Sequence, residues 1–167
     1  MELLTAIDSR SSAARLAQPG PTLAHLERML KAARQAPDHG RLKPWHLVVL
    51  EEPARSKFAA AAAEAKRRRV PSMNEEQVTA EREKILRSPA IVVVGCIVHE
   101  NPNVPEVEQV ISTGAAVQNL FLAAHDLGYG VMWKTGAAAY DPDVKALVGL
   151  SSRDHIVAIL HLGIRLK

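Results

Sequence analysis

Three short stretches of the chain gather groups able to hold a charged ligand. Arg10-Ser11-Ser12, with Arg15 close behind, sets a guanidinium and two hydroxyls side by side just after a short helical segment. That donor set suits a phosphate. Ala36 to His46 reads Ala-Pro-Asp-His-Gly-Arg-Leu-Lys-Pro-Trp-His, a polar loop with two prolines that runs into an apolar segment. Gly128 to Gly136 reads Gly-Tyr-Gly-Val-Met-Trp-Lys-Thr-Gly, where small residues let a ligand approach the backbone and Lys134 adds charge. Each stretch taken singly is equally well an ordinary surface turn, a connector plugged by Trp45, or a helix C-cap followed by a tight turn.

Other chemistries find less support. Neither Gly-x-Gly-x-x-Gly nor Gly-x-x-x-x-Gly-Lys-Ser/Thr occurs, so no standard nucleotide loop is present. The seven histidines, among them His25, His39, His46, His125 and His161, form no His-Glu-x-x-His pattern, and the lone Cys96 rules out Cys-x-x-Cys; no metal site is expected. Cys96 lies in an apolar run and reads as a small buried hydrophobe. The balance of 21 basic and 18 acidic residues, a net charge of +3, is too mild to imply nucleic acid. The densest basic run, Lys66 to Arg69, reads as the charged last turn of a helix. The longest apolar run, Ala90 to Val98, is far short of the ~20 residues that span a bilayer. The start, Met1-Glu2-Leu3-Leu4, has no signal-peptide pattern. One cysteine cannot form an internal disulfide, which fits a reducing, cytoplasmic setting.

The elements that must position these stretches follow from periodicity. With 167 residues, 47% of them hydrophobic, the chain is expected to form a single domain over 1–167. Glu2 to Asp8 makes a short first helix. Thr22 caps a second, in which Leu23, Leu26, Met29, Leu30 and Ala33 recur at helical spacing. Leu47 to Leu50 reads as a strand, and Pro53 opens a helix to about Arg69. A polar segment from about Asn74 to Leu86, with few apolar anchors, reads as a lid or surface helix. Ala90 to Val98 reads as a strand buried on both faces. A long helix over 105–127 is apolar around so much of its girth that it must be central or meet another subunit. A short strand at Val131 to Trp133, a helix capped by Asp141-Pro142 and a last strand from His155 to Leu162 complete an α+β pattern with about four strands.

In this order and spacing the three stretches resemble the nitroreductase family of flavoproteins. Arg10-Ser11-Ser12 resembles its opening Arg-x-Ser motif, and Ala36-Pro37 through Pro44-Trp45 its Ala-Pro...Pro-Trp loop. Gln118 to Ala124, then Leu127-Gly128-Tyr129-Gly130 and Trp133, resemble its central helix and following turn, and Leu162-Gly163 its last strand. The Ala-Pro-Asp-His and Pro-Trp-His pieces are most similar to the small, YdjA-type members. The resemblance implies a nitroreductase-like α+β fold: a mixed, mainly antiparallel sheet flanked by helices with a long central helix. It implies a homodimer with FMN at the subunit interface. Arg10, Ser11 and Ser12 would hold the cofactor through its phosphate and neighbouring polar atoms, Trp133, Lys134 and Thr135 would line it from the same chain, and His39 and Lys43 would reach it from the partner. The implied activity is ping-pong hydride transfer from NAD(P)H to a nitroaromatic, quinone or similar small electrophile, with no side chain as nucleophile or general base and therefore no catalytic residue assigned. The alternative is a flavin-binding or storage protein without turnover. Neither nucleic acid nor membrane is expected as a partner. Two departures stand out: Ser11 replaces the second arginine of the usual Arg-Arg-Ser, and Lys43 replaces the usual glutamine before Pro-Trp. The chain also stops four residues after Gly163, where many relatives continue with a tail that can supply another phosphate-binding basic residue; Arg165 and Lys167 are the candidates to substitute for it.

Overall fold

The computed structural model describes residues 2–166. Its helices are α1 (Leu3–Ser9), α2 (Leu23–Ala33), α3 (Ala54–Arg69), α4 (Glu75–Leu86), α5 (Glu106–Asp126) and α6 (Pro142–Leu147). Its strands are β1 (Leu16–Ala17), β2 (Trp45–Val49), β3 (Ala90–Cys96), β4 (Gly130–Lys134) and β5 (His155–Arg165). Single 3-10 turns occupy His39–Arg41 and Ala137–Tyr140. Local chemistry explains many of the boundaries. Thr22 accepts from the His25 N–H, Asn74 and Gln77 form a reciprocal capping box, and Asp141 caps α6 ahead of Pro142. Gly128, at φ +87°, carries the chain out of α5.

The sheet runs β1-β5-β3-β2, with β4 also paired to β5, and every described pairing is antiparallel. The fold is the α+β sandwich of helices and sheet expected from the sequence. Five strands form where about four were expected, because the two-residue β1 is too short to leave a periodic signal. One face of the sheet buries Val92, Val94, Val131, Leu160 and Leu162 against α2 and α5. The other buries Ile91, Val93, Ile156 and Ile159 against α3 and α6. Val157 is the extra residue of a β-bulge, since Gly95 pairs with Ile156 but Val94 with Ala158. The bulge puts Ile156 and Ile159, three apart, on one face.

Segment 75–86, expected as a lid or surface helix, is a surface helix that buries only Val78 and docks on α3. Lys66 and Arg67 of α3 reach Glu81 and Glu75 of α4, each at 2.6 Å. The rest of the basic run is also engaged within the chain: Arg68 meets Asp141 and Asp143, and Arg69 lies 5.2 Å over the Tyr140 ring.

Gly163 sits where β5, β1 and Pro89 converge. A Cβ there would fall 2.7 Å from Pro89 Cγ and 2.8 Å from the Ala17 carbonyl oxygen. Backbone cannot yield as a side-chain tip can, so Gly163→Ala is expected to cost about 1–3 kcal/mol. Urea unfolding reads this directly, and an unchanged midpoint would mean that β1 does not pack there.

Candidate active site

A cavity of about 570 Å³ opens between α3, α4 and the sheet. Met132 and Lys134 of β4, with Ile159 and His161 of β5, make its floor. Phe58, Ala62 and Lys66 line it from α3, Glu81, Lys84 and Ile85 from α4, and Ala14 and Thr135 to Ala138 from the loops. A second cavity of about 380 Å³ shares Ala14, Lys84, Met132, Lys134 and His161 and continues to Arg15, Arg87 and Ser88. Strand alternation decides which side chains arrive here. Val131 enters the α5-side core, so Met132 and Lys134 turn to the cavity. The bulge at Val157 sets the phase of β5, so His161 follows Ile159 onto the same side.

The lining is cationic. Lys66 pairs with Glu81 at 2.6 Å, while Lys84 is 3.9 Å from the same carboxylate. Burial lowers the Lys134 ammonium from its ordinary range; Lys84 lowers it further, Glu81 opposes and Arg87 adds to the fall. His161 is 2% exposed, and its Nδ1 lies 2.6 Å from the Ser88 hydroxyl. Burial, with the charges of Lys134 and Arg55, pushes its imidazole down to about 3, so the ring is neutral at physiological pH. Gly136 has φ +64°, and a Cβ built on it would meet nothing within 4 Å, leaving bare backbone at the cavity edge. Volume, cations and exposed backbone together fit a small organic ligand carrying negative charge.

The expected site residues divide between this cavity and other surfaces. Lys134 and Thr135 line it. Arg10, Ser11 and Ser12 do not, although they lie just upstream of Ala14, which does, and of Ala13, which lines the second cavity. The Arg10 guanidinium sits 4.8 Å over the Phe121 ring of α5. Ser11 accepts two bonds from Arg165, at its carbonyl and its hydroxyl. Trp133 faces the other side of the sheet, and its indole N–H donates to the Val157 carbonyl at the bulge, 3.0 Å away. His39 pairs with Glu108 of α5 at 2.6 Å. Lys43, at φ +50°, is held through its backbone N–H by Asp38. Both belong to the 38–44 loop and contribute nothing to the cavity of their own chain.

Sequence reasoning missed His161, Ser88, Lys84 and Glu81. The one signal available for His161 was a polar residue alone in an apolar strand. Cys96 is fully buried, which raises its thiol, as expected of an inert position. Among the described residues, no cluster of three or more His, Cys, Asp or Glu could hold a metal ion, and no helix is long and apolar enough to cross a membrane.

Comparison with known proteins agrees with this architecture. The sequence pattern described as "Nitroreductase family" matches residues 8–164. A curated relative, "Putative NAD(P)H nitroreductase YdjA" of Escherichia coli K12, is 35% identical over 163 residues, spanning 98% of this chain and 88% of the relative. A nitroreductase-like family protein from Bacillus cereus superposes with a TM-score of 0.82 at 27% identity, over 100% of this chain and 87% of the other. A nitroreductase from Bacteroides fragilis, solved with bound FMN, shares the fold with a TM-score of 0.74 at 20% identity, over 99% and 89% of the two chains.

Proposed function

From a chain that belongs to the nitroreductase family, we propose an FMN-dependent NAD(P)H oxidoreductase that reduces nitroaromatics, quinones or similar electrophiles. The observation that carries this reading is the cationic cavity of about 570 Å³ with the bare backbone of Gly136 at its edge. The fold also holds FMN in the Bacteroides fragilis protein. When bound, the flavin supplies hydride and electron transfer between a nicotinamide and the electrophile. The chain's own residues position and exclude. Arg10, Ser11 and Ser12 bind the phosphate, with Arg165 drawing Ser11 into place. Lys134 and Thr135 contact the ring, and Trp133 contributes backbone only, its indole being committed to Val157. Phe58, Ile85 and Met132 keep water from the reacting face.

The site is shared in a homodimer, where His39 and Lys43 of each chain reach the cavity of the other. Val107 and Ile111 of α5 are 61% and 66% exposed. They align at helical spacing with Gly114, where a built Cβ would meet no atom of the rest of the chain within 4 Å. An apolar stripe of this kind fits burial in an obligate interface of more than ~2,000 Å². Light scattering at micromolar concentration is expected to give the dimer mass. A monomer with FMN bound would remove the shared site.

The purified protein should absorb in the blue and near-ultraviolet and bleach anaerobically with NADH or NADPH. Colour should return on adding a quinone, with parallel double-reciprocal plots for ping-pong turnover. A flavin spectrum unchanged by both nicotinamides would leave a binding protein without turnover. Lys43→Gln should lower the flavin potential by roughly 30 mV, about 1.4 kcal/mol for two electrons, because a cation near the ring favours the electron-richer form. An unchanged potential would return Lys43 to the protein surface.

A further inference from the structure

We infer that His161 is a neutral hydrogen-bond donor built into the cavity floor, its Nε2–H facing the ring or ribityl chain of the flavin and its tautomer set by Ser88. The inference rests on the flavin reading above, but its grounds are the chain's own atoms. His161 is 98% buried by its 2% exposure, and Ser88 is almost as enclosed. Their Nδ1 and Oγ lie 2.6 Å apart. Among the described residues, the only sealed side-chain nitrogen or oxygen without a partner is Arg55 Nε. His161 Nε2 also has no partner among the described residues, so it is not sealed: it opens onto the cavities that its ring lines.

The tautomer follows from what each atom can do. A serine hydroxyl is one donor, and neutral imidazole has one donor and one acceptor nitrogen. If Nδ1 carried the hydrogen, the Ser88 hydroxyl would accept it and, among the described residues, would have no protein acceptor for its own proton. If Ser88 donates to Nδ1, both atoms are satisfied and the remaining hydrogen resides on Nε2, facing the cavity. Lys134 and Arg55 oppose a second proton on the ring, as does burial. The cavity therefore offers two kinds of donor next to one another, the Lys134 ammonium and an uncharged N–H. Phosphate is assigned to Arg10 and its neighbours, so the uncharged donor meets the rest of the flavin. There it fixes the orientation of a heteroatom without adding net charge.

The test compares FMN and riboflavin, titrated by flavin fluorescence into wild type, His161→Leu, His161→Gln and Arg10→Ala. Loss of one neutral hydrogen bond corresponds to a roughly 3- to 10-fold weaker Kd. His161→Leu should weaken FMN and riboflavin by the same factor. His161→Gln, which retains an N–H of similar reach, should stay within about 2-fold of wild type. Arg10→Ala should weaken FMN and leave riboflavin unchanged. Nitrogen-15 NMR of histidine-labelled wild type should show the hydrogen on Nε2 with flavin bound, a readout that does not depend on the variants folding. A folded His161→Leu with wild-type affinity for both ligands, or the hydrogen on Nδ1, would overturn the assignment while leaving the flavin site standing. Wild type that binds neither ligand would overturn both.

Discussion

Arg10→Ala should bind FMN roughly 10- to 150-fold more weakly than wild type while reducing it at a near-normal rate per bound flavin. The factor corresponds to a charge-assisted hydrogen bond to phosphate, about 1.5–3 kcal/mol. Phosphate binding is the role proposed for Arg10. The Arg10 guanidinium is held over the Phe121 ring, and no described carboxylate competes for it. A cation–π contact of about 0.5–1 kcal/mol positions the group without neutralising it. Arg10→Lys should fall between the two, because an ammonium keeps the charge and loses the planar fork. Fluorescence titration gives the affinity, and anaerobic stopped flow gives the reduction rate. Wild-type affinity in Arg10→Ala would take the phosphate away from the N-terminal motif.

Wild type should lose about 2–3 kcal/mol of stability between pH 6 and pH 4 that a chain lacking His161 does not lose. The unfolded imidazole takes up a proton near pH 6.5, whereas the folded one resists until about 3. Between those values the unfolded state binds more protons, so stability falls with pH, by up to about 1.4 kcal/mol per unit. Asp141 and Asp154 act in a lower window. Burial opposes their charge, but Arg68 and Ser151 respectively hold both carboxyls below the ordinary aspartate range, near 3.8. Their contribution is therefore lost only as pH falls below that value. Urea unfolding of wild type and His161→Leu at successive pH values isolates the difference in slope. Parallel slopes from pH 6 to pH 4 would mean that folded His161 protonates normally.

Helix positions were legible in the sequence because they follow from short-range chemistry. Thr22, Asn74 and Asp141 bond to backbone within their own first turn. The girth of α5 announced its central place: Thr113, Ala116, Val117 and Leu120 are wholly buried, and Val107 and Ile111 are not. Lys134 and Thr135, which line the cavity, stood out in the sequence because they belong to the short glycine-bounded stretch 128–136. What the sequence could not contain is which face of the sheet each strand residue meets. One extra residue at Val157 changes the phase of β5, and neither its position nor its effect has a local signature. That bulge leaves Val157 to receive the Trp133 indole on one face and turns His161 into the cavity on the other. Ser88 joins His161 from 73 residues away. The basic run 66–69 was legible as charge, but its acidic partners come from α3 itself, α4 and α6 with its cap. Caps and periodicity are set within one or two turns of chain. Strand phase, burial of a lone polar group and the pairing of distant charges exist only once the sheet has closed, and so the tertiary structure alone decided them.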